Sequence, residues 1–114
     1  MALGVGIDLI EIERVERALE RRPRLAERLF TPAELAYARD RARPGQHLAA
    51  RFAAKEAVIK ALGQSVSPRE IEVVAGPPPK LRLHGHAADL AQGSEIAISL
   101  THSRDSAAAV AMAV

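Results

Sequence analysis

The chain contains no cysteine, which excludes disulfides, thiol nucleophiles and cysteine-based zinc sites together. It has no tryptophan, and its aromatic residues are Phe30, Tyr37 and Phe52 alone. Three rings are too few for a platform on which bases stack, so nucleic acid is not an expected partner. No run of apolar residues is long enough for a membrane-spanning helix. The opening Met-Ala-Leu-Gly-Val-Gly-Ile-Asp lacks the basic flank of a signal peptide and meets an aspartate early, so the expected location is cytoplasmic. Neither sign of charge dominates, the net being +2, and Leu, Ile and Val recur throughout, which excludes disorder. Bulky apolar residues are scarce: 48% of the chain is apolar, but 23 of those residues are alanine. The 114 residues are expected to form one domain, 1–114, whose lean core draws on contacts between subunits.

The charge is unevenly placed. Residues 14–55 carry eleven Arg or Lys against five acids, a balance of +6, while residues 56–114 come to −1. A basic middle on a near-neutral chain suits an acidic protein, nucleic acid or a phosphorylated small molecule.

The hydrophobic period changes along the chain. Leu3, Val5, Ile7 and Leu9 alternate with Gly4, Gly6 and Asp8, which predicts a strand with one apolar face, one stripped face and a carboxylate at its end. Its glycines leave room for a ligand or another backbone. Ile12, Val15 and Leu19 fit a helix, which Pro23 interrupts before a short piece through Leu29. Thr31-Pro32-Ala33-Glu34 is a strong helix start, with a stop near Arg41, before Pro44-Gly45. A long helix is expected from about His47 to Leu62, ended by Gly63. Short strands are expected at 71–74 and 81–84, a helical turn near 87–90, and a hairpin of 96–100 with 107–114. The sum is an α+β fold: an antiparallel sheet that includes the first strand, packed with one long helix and several shorter ones.

On the long helix Phe52, Glu56 and Lys60 share one edge. Glu56 and Lys60 at i,i+4 form either an ordinary surface pair or part of a site. Two of only three lysines, Lys55 and Lys60, sit here in a chain that otherwise uses arginine. A compact charge that meets phosphate oxygens is one reason to keep lysine. Asp8 is either the N-cap of the following helix, with Glu11 closing a capping box, or a free carboxylate. Asp8 with Glu56 would suit Mg²⁺, which keeps waters and takes further oxygens from substrate phosphates. His102 beside Ser99 lacks the nucleophile elbow of a hydrolase. The other histidines show no metal-ligand spacing, and Gly4-x-Gly6 lacks the third glycine of a dinucleotide loop.

Taken as a set, Gly6-Ile7-Asp8-Leu9 with Glu11 and Arg14, then Arg28-Leu29-Phe30-Thr31-Pro32-Ala33-Glu34, resemble the opening landmarks of the holo-[acyl-carrier-protein] synthases, the short class of 4′-phosphopantetheinyl transferases. The segment from Arg51 to Gly63 resembles that family's signature helix almost residue for residue, and Ile98-Ser99-Leu100-Thr101-His102-Ser103 is similar to its C-terminal strand motif. The resemblance runs from end to end and implies the 4′-phosphopantetheinyl transferase-like fold. It implies transfer of phosphopantetheine from coenzyme A to a serine of acyl carrier protein, in fatty acid biosynthesis. It also implies Asp8 and Glu56 as Mg²⁺ ligands, and Glu56 and Lys60 as catalytic residues. The serine proton would pass to Glu56, directly or through a water held by the metal. Arg51, Lys55, Lys60, Thr101 and His102 would face coenzyme A, and Arg14, Arg21, Arg24 and Arg28 would face the acidic helix of the carrier. The family's habit of forming homotrimers with shared sites agrees with the lean core. Gly76-Pro77-Pro78-Pro79 departs from the family, which commonly has lysine where Pro77 stands. Two rivals remain: a non-catalytic basic module docking an acidic helix, and an Mg²⁺-dependent phosphohydrolase.

Overall fold

The computed structural model describes residues 4–114; Leu3, part of the predicted alternation, lies outside them. Ten strands and α-helices follow in chain order, with one 3-10 turn (Pro68–Glu70) before β2: β1 (Val5–Glu11), α1 (Ile12–Arg21), α2 (Leu25–Leu29), α3 (Pro32–Arg39), α4 (Pro44–Leu62), β2 (Ile71–Val74), β3 (Lys80–Leu83), α5 (Gly85–Ala91), β4 (Ile96–His102) and β5 (Ser106–Ala113). The class is α+β. The expected sheet is in fact two: an antiparallel three-stranded sheet in the order β1-β5-β4, and a separate β2-β3 ribbon. A cleft of about 410 Å³ lies between β3 and β4, whose edges do not pair.

α4 is the axis of the molecule. It starts at Pro44, three residues before the predicted start, because proline is well placed at the first helical position, where its missing N–H is not needed. Pro44 therefore opens α4 instead of merely ending α3. Gly63 ends it in the left-handed region, φ +79°, donating its N–H to Ile59 O at 3.0 Å. The buried residues of α4 include Ala49, Ala50, Ala53, Ala54, Ala57 and Ala61, with Val58 and Leu62. Small side chains let sheet and helices approach this helix from several sides at once.

β1 shows why. Its stripped face packs on α4: Gly4 N donates to Ala61 O at 3.1 Å, and a Cβ on Gly6 would collide with the Ala57 carbonyl. The glycines thus admit a backbone, and the predicted apolar face is the one turned outward. Val5, Ile7 and Leu9 are 63%, 68% and 71% exposed. Across the ladder Val5 faces Met112 and Ile7 faces Val110, so the outer surface of the three-stranded sheet is an apolar patch. α4 covers the other face of β5, where Ala107, Ala109 and Ala111 are buried.

The capping box at Thr31 forms as predicted: Thr31 N donates to Glu34 Oε1 at 2.9 Å and Glu34 N to Thr31 Oγ1 at 3.3 Å. The alternative box at Asp8 and Glu11 does not form. Asp8 lies inside β1 opposite Ala109, not at a strand end, and the N-cap of α1 is Glu11, without a side-chain cap bond.

Candidate active site

Because β1 lies flat on α4, Asp8 comes to the same cavity as Glu56. This cavity, about 350 Å³, is lined by Asp8, Arg14 and Glu56 together with apolar side chains of α1, α2 and α4 that include Val15, Leu25, Leu29 and Phe52. Burial raises the pKa of Glu56, the charge of Asp8 raises it further, and Lys60 opposes both. Lys60 Nζ donates to Ile7 O at 2.8 Å and stands 3.5 Å from Asp8 Oδ1. Its side chain is 55% exposed, so it remains open to a ligand as well. Two carboxylates repelling each other at the edge of a cavity are a good seat for a hard cation. Among the described residues no group of three or more His, Asp or Glu could enclose a metal by itself.

A second group forms at the other end of α4. The Arg51 guanidinium lies over the Tyr37 ring at 4.1 Å and Arg41 over the same ring at 4.0 Å. His47 meets Tyr37 and His102 edge-on, with ring centroids 5.8 and 5.6 Å apart. Burial lowers the pKa of His47, and the nearby His102, Arg51 and Arg41 lower it further. Arg51 is 6% exposed and its buried Nε has no hydrogen-bond partner, an unpaired donor in a basic corner. An anion would satisfy it. The structure thus links Arg51 to His102 through Tyr37 and His47, which together with Arg41 sequence reasoning missed. The i,i+4 spacing of His47 and Arg51 was the available signal.

Two of the residues expected to face coenzyme A lie apart from the basic corner. Lys55 is fully buried, and its Nζ donates to Glu34 Oε1 at 2.7 Å and to Pro68 O and Ile71 O, each at 2.8 Å. An ammonium has three protons, and all three are used, so Lys55 has none left for a phosphate. Thr101 alternates with His102 on β4 and lies on the outer sheet face, opposite Ala108. Within one chain it does not join the basic corner.

The four arginines expected to face the carrier, Arg14, Arg21, Arg24 and Arg28, are exposed. Arg14 and Arg21 share the outer side of α1, and Arg24 and Arg28 line a neighbouring surface hollow with Arg22. Among the described residues none of the four has an ion-pair partner, whereas Arg17 is paired with Glu13 at 3.2 Å.

A small α+β domain with paired carboxylates on one cavity and a basic corner on another face of the same helix belongs with enzymes that handle phosphate esters. A family model described as the 4′-phosphopantetheinyl transferase superfamily matches residues 4–112. The holo-[acyl-carrier-protein] synthase of Moorella thermoacetica is 52% identical over 118 residues, covering 96% of this chain and 92% of the relative. The crystal structure of the holo-[acyl-carrier-protein] synthase of Neisseria meningitidis superposes with a TM-score of 0.85 at 30% identity, covering 100% of this chain and 99% of that one. That of the Helicobacter pylori synthase, in complex with coenzyme A, gives 0.84 at 27% identity, covering 96% and 99%. The chain belongs to the 4′-phosphopantetheinyl transferase superfamily and, within it, to the holo-[acyl-carrier-protein] synthases.

Proposed function

We propose that the chain transfers the 4′-phosphopantetheine group of coenzyme A to the acceptor serine of apo acyl carrier protein. The carrying observation is the convergence of Asp8 and Glu56 on one cavity with Lys60 beside Asp8, in a chain that matches the synthases over nearly its whole length. Asp8 and Glu56 would hold Mg²⁺, which supplies positive charge to the diphosphate of coenzyme A. The serine oxygen forms a bond to the phosphorus that bears pantetheine, the bond from that phosphorus to the bridging oxygen breaks, and adenosine 3′,5′-bisphosphate leaves. In such transfers the protein mainly positions groups and offsets charge. Lys60, open to solvent at the cavity edge, offsets charge on the leaving phosphate. Glu56 accepts the serine proton, directly or through a water. The basic corner that holds Arg51 and His102 suits the phosphates at the nucleotide end.

The unpaired Arg14, Arg21, Arg24 and Arg28 support docking of an acidic carrier helix around the cavity mouth. The apolar outer sheet face supports a homotrimer. Stripe 47–51 on α4 is turned by one residue, about 100°, from stripe 52–56–60. Among the described residues no hydrogen bond or ion pair joins the two groups. An assembly with shared sites would set the carboxylates of one chain against the basic corner of the next. A cytoplasmic location fits these substrates, and no helix among the described residues is long and apolar enough to cross a membrane.

A non-catalytic basic module gives no reason for two repelling carboxylates on one cavity. A phosphohydrolase has no counterpart among the relatives above. One assay tests the proposal: the protein, coenzyme A, Mg²⁺ and an apo carrier are incubated and the carrier is weighed. A gain of one phosphopantetheine that a chelator abolishes is expected. An unchanged carrier, or coenzyme A hydrolysed without transfer, would overturn it.

A further inference from the structure

Three successive carbonyls of the turn between β4 and β5 are held by three different donors. Ser103 O accepts from Gln46 Nε2 at 3.1 Å, Arg104 O from Arg43 Nη1 at 2.6 Å, and Asp105 O from Ile12 N at 2.9 Å. Within the turn, Ser103 N donates to Ser106 O at 2.8 Å and Ser106 N to Ser103 Oγ at 3.2 Å. The turn is therefore fastened to the start of α1 and to the start of α4 at the same time.

Arg43 is the centre of this clamp, and Glu16 on α1 aims it. Arg43 Nε donates to Glu16 Oε2 at 3.1 Å and Nη2 to Glu16 Oε1 at 2.9 Å, a two-pronged pair that leaves Nη1 pointing at the turn. Glu16 raises the pKa of Arg43 through the hydrogen bond they share. Gly45 makes room for it, since a Cβ there would overlap the Glu16 side chain. The pair is partly exposed, 39% for Arg43 and 29% for Glu16, so it adds little to global stability. Its consequence is geometric. His102 is the residue before the clamped turn, and its ring stands against His47, next in sequence to Gln46 and one helical turn before Arg51.

We propose that Glu16 and Arg43 are positioning residues for the coenzyme A side of the site. They fasten the β4–β5 turn to α4, so that His102 stands beside His47 and Arg51 before the co-substrate arrives. Neither touches the substrate; both act through His102. This rests on the transferase reading above.

The test uses Glu16→Gln and, as a second disruption that changes no charged residue, Gly45→Ala, which displaces the Glu16 carboxylate. Each variant should raise KM for coenzyme A by about five-fold while kcat and KM for the carrier stay within about two-fold, the pattern of lost ground-state positioning. In a His102→Ala background, adding Glu16→Gln should change KM for coenzyme A by less than about two-fold, because coupled residues are not additive. Amide exchange at Ser103, measured without substrates, should quicken in both variants. Additive effects with His102→Ala, an equal rise in both KM values, or unchanged exchange at Ser103 would each overturn the proposal. An unmutated protein that transfers nothing would overturn the transferase reading instead, and the exchange measurement would still decide whether the clamp exists.

Discussion

Lys55 donates from Nζ to Glu34 Oε1 at 2.7 Å, and neither side chain reaches solvent. Burial lowers the pKa of Lys55 while Glu34 works against that fall. Glu34 also holds Thr31 N and Val73 N, so the pair ties α3, α4 and β2 together. Removing one partner of a buried ion pair costs about 3–5 kcal/mol. Lys55→Met is expected to lose that much in denaturant unfolding, with KM for coenzyme A unchanged in the fraction that folds. Adding Glu34→Leu is not expected to restore stability, because Thr31 N, Val73 N and Ile71 O would be left without partners.

Glu72 gives a pH signature. Burial alone would raise its pKa, but hydrogen bonds from His84 and Thr31 and the charge of Arg82 bring it below the ordinary carboxylate value. A depressed carboxylate contributes stability above its unfolded pKa, and that contribution is lost as pH falls through the folded value. Glu72→Gln should therefore melt below the unmutated protein at pH 7. The two melting temperatures should converge well below about pH 4, where Glu72 is protonated in both states.

Asp8 lies in the middle of a strand and caps no helix. Asp8→Asn keeps the shape and removes the charge, so melting should change by about 1 kcal/mol or less while transfer is lost. A folded Asp8→Asn protein that still transfers phosphopantetheine would remove Asp8 from the metal site.

Reversing Arg14 and Arg21 to Glu should raise KM for the carrier and leave KM for coenzyme A nearly unchanged. Added salt should act on the unmutated protein in the same direction, since exposed charges are screened over about 8–10 Å. Carrier KM that ignores both changes would place docking elsewhere.

The two faces of β5 can be separated by adjacent substitutions. Val110 is on the open sheet face and Ala109 on the face covered by α4. Val110→Glu should give a folded monomer, whereas Ala109→Glu should unfold the chain by burying an unpaired charge. Light scattering on the unmutated protein should report a mass near three times 12.2 kDa.

Local chemistry was legible along the chain. The Thr31 capping box, Gly63 as a left-handed stop and the alternation of β1 each depend on neighbouring residues, and each appeared as read. Glu56 and Lys60 were placed on one edge of a helix by a period that needs no tertiary information. The start of α4 was misjudged because Pro44 can end one helix or begin the next, and only packing chooses.

The sequence by itself determined the elements, the αL stop and the motif residues of a family, since these follow from spacing, capping and residue type. Only the tertiary structure decided which way the faces turn. It put the glycine face of β1 against α4, because a backbone can approach only where no Cβ stands, and so left Val5, Ile7 and Leu9 open. It also separated two lysines five residues apart on one helix. Lys55 is enclosed by three acceptors from other elements, while Lys60 stands at the edge beside Asp8. Composition cannot distinguish them, because the difference lies in what the rest of the chain brings alongside.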